Sequence, residues 1–382
     1  MSNRACYLDN AATSFPKPKN VLAEVNRCIC EYGGNAGRGS HRLSLMAAEK
    51  IYECRERIQA LINAESPESV AFVPSCTYGI NLVIKGFLKQ GDHILISDME
   101  HNSVRRPLEK LQKEGKITFS VFPALLKSSQ NDEELLEGIR MRLQRNTRLL
   151  ICNHQSNICS YALPIAKIGE LCKKYNIIFA VDGAQSIGHY NIDVQKMNIN
   201  YLISPAHKGL YGLQGCGFVV SNAAPLLGTL VEGGTGIDSM LADMPTIIPE
   251  RYEAGTLPLP SIVGLLEGIK FVTETGTDKI SAHDRSLFRR LRDGLLKISG
   301  ATVYLPDHEG STLLFNIANI SAERVSEHLD SNFICVRSGL HCSPLAHIAL
   351  GTEQSGAVRV SFGIFNTKSD IDRLLTCINC LK

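Results

Sequence analysis

The 382-residue chain is 44% hydrophobic and 20% charged, the ordinary balance of a globular protein. A formal net charge of +2 gives no global attraction to nucleic acid or an anionic membrane. No basic start followed by an apolar core, and no long uncharged apolar run, argues for a secretory leader or a membrane span.

In chain order, amphipathic stretches at 43–64, 79–89, 103–114, 132–145 and 164–175 read as helices. They alternate with short, continuously apolar runs at 70–73, 93–96, 149–152, 177–181 and 217–220. Such runs are strands buried on both faces, so the alternation predicts an α/β fold with a mostly parallel central sheet. The pattern changes near 256–260. A long helix is expected from Ser261, followed by strands at 302–305, 312–317, 333–336 and 357–362 and a last helix at 369–381. About 150 residues per domain allows two or three domains. We expect a large domain at 16–260 and a smaller α+β domain built from 1–15 and 261–382. No flexible linker separates them.

The 13 cysteines, spread from Cys6 to Cys380, are too many and too dispersed for a small secreted disulfide scaffold; a reducing cytoplasm is expected. Neither Cys28/Cys30 nor Cys377/Cys380 has a second pair at zinc-finger spacing, so both are read as spectator thiols and no metal is expected.

Ligands of open α/β sheets bind at the carboxyl ends of strands. Four polar clusters sit at such ends: 74–77, 98–101, 153–157 and Asp182. Lys208, in Ser204-Pro205-Ala206-His207-Lys208-Gly209, follows the Asp182-Gly183-Ala184-Gln185 string. An aspartate that holds a pyridine nitrogen protonated and a lysine that forms an imine are the protein's half of pyridoxal phosphate chemistry. In that reading Gln185 reaches the ring's phenolic oxygen. The plainer role for Asp182 is a helix N-cap, and the two can coexist. Ser75-Cys76-Thr77 at a helix start suits either phosphate binding or simple capping. His101 is placed to stack on a ring and shuttle a proton, with a structural histidine as the alternative. Cys342, beside His341 and near Arg337, is expected to have its thiolate favoured, although by composition alone it is one spectator among many. Arg359, inside an apolar strand, needs a partner: a substrate carboxylate or a structural acid.

The whole ordered set resembles the class V aminotransferase superfamily, and within it the cysteine desulfurase/selenocysteine lyase family. The strings that carry the resemblance run from Tyr7-Leu8-Asp9-Asn10-Ala11-Ala12-Thr13 and Asn35-Ala36-Gly37-Arg38-Gly39-Ser40-His41 through Glu100-His101-Asn102-Ser103 and Ser156-Asn157. They continue with Asp182 to Gln185, His207-Lys208, Glu253-Ala254-Gly255-Thr256, Arg337 to Cys342 and Arg359. The resemblance implies a fold-type I homodimer, with pyridoxal phosphate on Lys208 and His101 stacked on its ring. It counts Cys76, Thr77, Asn157, Asp182, Gln185, His207 and the partner-reaching Thr256 among the cofactor residues. Arg359, Asn157, Arg337, Asn10 and Ala11 are its substrate residues. It implies a reaction in which Lys208 takes the α-proton and Cys342 takes sulfur or selenium from cysteine or selenocysteine, releasing alanine. A sulfur-acceptor protein follows from it.

The chain departs from that pattern in places. Pro205 replaces a phosphate-binding serine or threonine, Cys76 a threonine, and Leu340 a histidine, while Leu257 stands where proline is common. Ile158-Cys159-Ser160-Tyr161 replaces a small Gly-Thr turn. The alternatives are a transaminase, lyase or epimerase of the same superfamily acting on another amino acid, and a non-catalytic homologue.

Overall fold

The computed structural model describes residues 5–37, 39–124, 131–237 and 239–381. Arg38 of the quoted string, and positions 1–4, 125–130, 238 and 382 of the expected domains, lie outside the described residues.

The chain opens with β1 (Cys6–Tyr7), α1 (Lys19–Arg27) and α2 (Arg42–Ile62). A seven-stranded sheet follows: β2 (Val70–Val73), β3 (His93–Ser97), β4 (Thr118–Phe122), β5 (Thr147–Asn153), β6 (Ile178–Asp182), β7 (Tyr201–Pro205) and β8 (Gly217–Ser221). Between its strands run α3 (Cys76–Phe87), α4 (Asn102–Lys113), α5 (Asp132–Arg140) and α6 (Ile165–Lys174). The strand order is β2-β8-β7-β6-β5-β3-β4, and only the two ladders of β8 are antiparallel. The other six strands therefore point the same way. Their carboxyl ends, and the start of β8, share one edge.

This is the α/β architecture expected from the apolar runs, which are buried on both faces. One apolar core packs α2, α6 and α7 (Leu259–Thr275) on one face of the sheet, and another packs α3 and α4 on the other. Two strands of this sheet were not anticipated. β4 is an edge strand with a mixed, half-exposed pattern. β7 has three apolar residues before Ser204-Pro205, too short a run to stand out, yet every position in it is buried. The long helix expected from Ser261 is two: Gly276, at φ 89°, separates α7 from α8 (Thr277–Leu295).

The rest of the chain forms an antiparallel sheet of β9 (Ala301–Tyr304), β10 (Thr312–Ile317), β12 (Arg337–Gly339) and β13 (Ala357–Ser361) in the order β12-β13-β10-β9. Helices α8, α9 (Ala322–Ser331) and α11 (Lys368–Asn379) cover it. β11 (Ile334–Cys335) pairs with β1, which ties the N-terminus to this unit, and α10 (Pro344–Leu350) follows Cys342. Among the described residues no helix is long and apolar enough to cross a membrane.

Candidate active site

Lys208 lies on the turn that leaves β7. That turn is closed by Ala206 N–H to Cys216 O (3.0 Å), Gly212 N–H to Ala206 O (2.9 Å) and Tyr211 N–H to Lys208 O (2.9 Å). A Cβ on Gly212 would stand 3.0 Å from the Leu265 backbone, so the turn can press against α7 only with glycine there. The carbonyl of His207 accepts from Ser14 N–H (3.0 Å), the Thr13 and Ser14 hydroxyls (3.1 Å each) and Lys17 Nζ (3.0 Å). The N-terminal strap is thereby fastened beside Lys208.

The turn forms one wall of a cleft at the shared sheet edge. All four polar clusters reach it. Cys76, Thr77, His101, Asn157, Asp182, Gln185, His207 and Lys208 line it together, along with Ser75, Ser103, Asn153, Gln155 and Pro205. Asp182 ends β6 and is buried, and its Oδ1 accepts from Ala184 N–H (2.9 Å) and from the Cys76 thiol (3.6 Å). It caps a turn, since no α-helix starts there. Burial pushes Lys208 below the ordinary lysine value, and nearby Asp182 opposes the shift in part. Burial, with Asp182 adding to it, holds the Cys76 thiol well above its usual value.

His101 caps α4. Its Nδ1 accepts from Ser103 N–H (3.1 Å), which leaves the proton of the neutral ring on Nε2. Burial keeps the ring below the usual histidine value. His207 is pushed down to about 4 by burial and by Lys208.

The free polar groups of the cleft, donors and acceptors both, suit a planar ring that carries a phosphate. Asn153 Oδ1, both polar atoms of the Gln155 side chain and His207 Nδ1 are buried around the cleft with no partner among the described residues. The first N–H groups of α3, at Cys76 and Thr77, have no intrahelical acceptor. Gly217 keeps that end open, since a Cβ there would stand 3.2 Å from Cys76 N. The hydroxyl of Ser204 does not replace the one missing at Pro205: it turns back onto the Pro205 carbonyl (3.3 Å).

Asn10 and Ala11 line an adjoining pocket with Gln185 and Lys208. Gln185 Nε2 donates to Ala11 O (3.0 Å). Arg359, 1% exposed, donates to Asp9 Oδ1 (2.6 Å) and to Asn157 O (3.0 Å), and its Nε has no partner among the described residues. Cys342 and Arg337 lie in a neighbouring groove, with Arg337 Nη2 3.8 Å from the Cys342 sulfur. Thr256 does not enter the cleft of its own chain. It lines a separate, open pocket with Tyr52, Thr235 and Ile237.

Several residues around the site gave no signal in the sequence. Ser343 and His347 fix the Cys342 loop: the Ser343 hydroxyl donates to Asn157 Oδ1 (2.6 Å), and His347 Nε2 lies 3.2 Å from His341 Nδ1. Ser160 sits in the left-handed region at φ 54°, which accounts for the small turn usual there. Its hydroxyl and N–H are held by Thr312 in place of the freedom glycine would supply. Cys28 and Cys377 are buried while Cys30 and Cys380 are exposed. Among the described residues no group of three His, Cys, Asp or Glu side chains has the geometry of a metal site.

Comparison with known proteins agrees with this arrangement. Residues 6–374 match the aminotransferase class-V family. A probable cysteine desulfurase of Halalkalibacterium halodurans is 32% identical, over 96% of this chain and 91% of that protein. A cysteine desulfurase of Salmonella agona is also 32% identical, over 97% of this chain and 91% of that one. The apo structure of a cysteine desulfurase from Thermococcus onnurineus superposes with a TM-score of 0.90 at 28% identity, covering 99% of this chain and 94% of that one. The fold is that of the fold-type I pyridoxal phosphate enzymes. The chain belongs to the aminotransferase class-V family, whose members use pyridoxal phosphate.

Proposed function

We propose that the chain removes sulfur from L-cysteine, or selenium from L-selenocysteine, leaving L-alanine and a persulfide on Cys342. One observation carries this reading. The exposed thiol of Cys342 rides on a loop whose two neighbouring residues are both hydrogen-bonded to Asn157, a residue of the cleft that holds Lys208 and Asp182.

Pyridoxal phosphate, when bound, supplies an electron sink for charge that develops at the substrate's α-carbon. Lys208, Asp182, Gln185 and His101 would hold its ring, and Thr77, His207 and the start of α3 its phosphate. The chain's own residues do the remaining work. Burial keeps Lys208 short of its usual proton affinity, so Nζ can take the α-proton. Asp182 retains a proton on the ring nitrogen. Arg359, braced by Asp9 and the Asn157 carbonyl, would give N–H groups not used in those two bonds, its Nε–H among them, to the substrate carboxylate. The Cys342 thiolate attacks the substrate sulfur. The carbon–sulfur bond breaks, its electron pair stays with the carbon skeleton, and that skeleton takes up a proton and leaves as alanine. The guanidinium of Arg337 faces the charge on sulfur.

The working unit in this reading is a cytoplasmic homodimer, each chain divided into domains at 16–260 and at 1–15 with 261–382. Thr256 would reach the partner's phosphate. Its support is the cavity Thr256 shares with exposed Ile237 and Tyr52, and the free state of the cysteines.

A visible spectrum with and without L-cysteine, followed by mass analysis of Cys342, tests the reading. The protein should be yellow, and alanine and a persulfide of one added sulfur should appear together. Cys342→Ala should keep the colour and lose the persulfide. Full-rate alanine release by that variant removes Cys342 from the chemistry and favours another amino acid as substrate.

A further inference from the structure

Cys342 opens into a groove of about 1180 Å³ between α4 and the β12 loop. Four cationic side chains line it: Arg105, Arg106, Lys113 and Arg337. Its one carboxylate, Glu109, is taken up by Arg105 at 3.3 Å. Arg106 and Lys113 are exposed and have no carboxylate partner among the described residues, and the Arg337 guanidinium lies 3.8 Å from the thiol. The chain as a whole carries only +2, so this is a local concentration of charge rather than a general property. L-Cysteine is a zwitterion with no net charge at neutral pH, and its carboxylate already has Arg359 in the reading above. The excess charge around the thiol is therefore left for something that meets Cys342 from outside.

We propose that this groove docks a protein acceptor that presents its receiving cysteine beside a carboxylate-rich segment. The inference rests on the reading of Cys342 as a sulfur carrier and names the partner of that step. The acceptor's thiolate attacks the outer sulfur of the Cys342 persulfide. The sulfur–sulfur bond breaks, Cys342 leaves as thiolate, and the persulfide passes to the acceptor. No outside oxidant or reductant is needed. Arg106 and Lys113 stand two helical turns apart, roughly 10 Å along α4, and Arg337 is on the facing wall. A peptide segment can engage all three while its cysteine reaches the sulfur, whereas one small thiol cannot. Leu340, 40% exposed, and Pro344 add an apolar rim beside the thiol.

Thiol–disulfide exchange at Cys342 reads the groove without relying on the desulfuration step. The probes are two single-cysteine peptides, one flanked by aspartate and glutamate and one by lysine, each activated as its thionitrobenzoate disulfide. They are given to the holoenzyme, and reaction at exposed Cys30 and Cys380 is subtracted with Cys342→Ala. The acidic peptide should react about tenfold faster at about 20 mM salt, with the advantage falling below about twofold at about 0.5 M. The double variant Arg106→Glu, Lys113→Glu should erase or invert that preference. Its alanine release with the uncharged dithiol dithiothreitol should stay unchanged. Equal rates for the two peptides, or a preference that survives the double reversal, overturns the proposal. So does an equal advantage for the mixed disulfide of 3-mercaptopropionate, which would assign the groove to small anionic thiols. If L-cysteine yields no alanine, the carrier reading fails, and the exchange rates still report separately whether the groove selects acidic partners.

Discussion

Asn157 and Ser343, 186 residues apart in sequence, are joined by a 2.6 Å hydrogen bond from the Ser343 hydroxyl to the Asn157 side-chain oxygen. The same asparagine donates to the His341 carbonyl at 2.8 Å, so it grips both neighbours of Cys342. His341 and Cys342 both have positive φ, 49° and 59°, and such a turn keeps its shape only while its surroundings hold it. The cleft and the nucleophile loop are therefore one mechanical unit.

Ser343→Ala tests that coupling, because Ser343 itself lines neither the cleft nor the groove. Loss of one buried hydrogen bond should cost about 1 kcal/mol. Persulfide formation on Cys342 should slow severalfold, followed by mass analysis, while the visible spectrum stays as in the wild type. An unchanged rate would mean that the loop is held by other contacts.

A second brace runs through His347. His341 Nε2 lies 3.1 Å from the Arg337 carbonyl, His341 Nδ1 lies 3.2 Å from His347 Nε2, and His347 Nδ1 lies 2.7 Å from the Thr352 hydroxyl. Burial pushes the two rings down to about 2 and about 4, so both are neutral in use. His347→Ala leaves His341 without that partner, at about 1–3 kcal/mol. Persulfide yield should fall about tenfold with cofactor colour intact, and His347→Asn should recover part of it. If His347→Asn is no better than alanine, hydrogen bonding is not what this residue supplies.

Glu100 lies beneath the site. It is fully buried, accepts from the Ser97 hydroxyl and from Asn153 N–H (3.0 Å), and its second oxygen has no partner among the described residues. Burial raises its carboxyl from 4.5 to about 8. The folded state thus holds this proton where the unfolded chain has lost it. Its contribution to stability is complete below about pH 4.5 and disappears as pH climbs through about 8. Glu100→Gln, which mimics the protonated acid, should gain stability relative to wild type as pH rises from 5 to 9, on the order of a few kcal/mol at the alkaline end. Melting temperatures of the two proteins across that range decide it. A constant difference would show that Glu100 does not titrate in that window.

Lys208→Ala should remove covalent attachment. Borohydride treatment of the wild type should add the reduced cofactor's mass to the peptide carrying Lys208, and the variant should gain nothing there. Turnover should drop by about a thousandfold or more, since both the imine anchor and the general base are lost. A borohydride adduct on any other lysine of the wild type would move the site.

The course of the sheet was legible because strands buried on both faces carry continuously apolar runs, and β2, β3, β5, β6 and β8 each hold one. β7 escaped notice although it carries the turn of Lys208, because its apolar run is short and a proline closes it. The strings around Asp182, Lys208 and Cys342 announced their chemistry because covalent cofactor work demands particular residue types in a fixed order. The sequence by itself thus settled the family, the α/β plan and the polar clusters at the strand ends. Only tertiary structure decided that Asn157 and His347 brace the nucleophile loop, that Arg359 leans on Asp9, and that Thr256 faces away from its own cleft. Those relations are made by side chains far apart along the chain. Hydrogen bonds formed across a fold leave no periodicity or spacing for a linear reading to find.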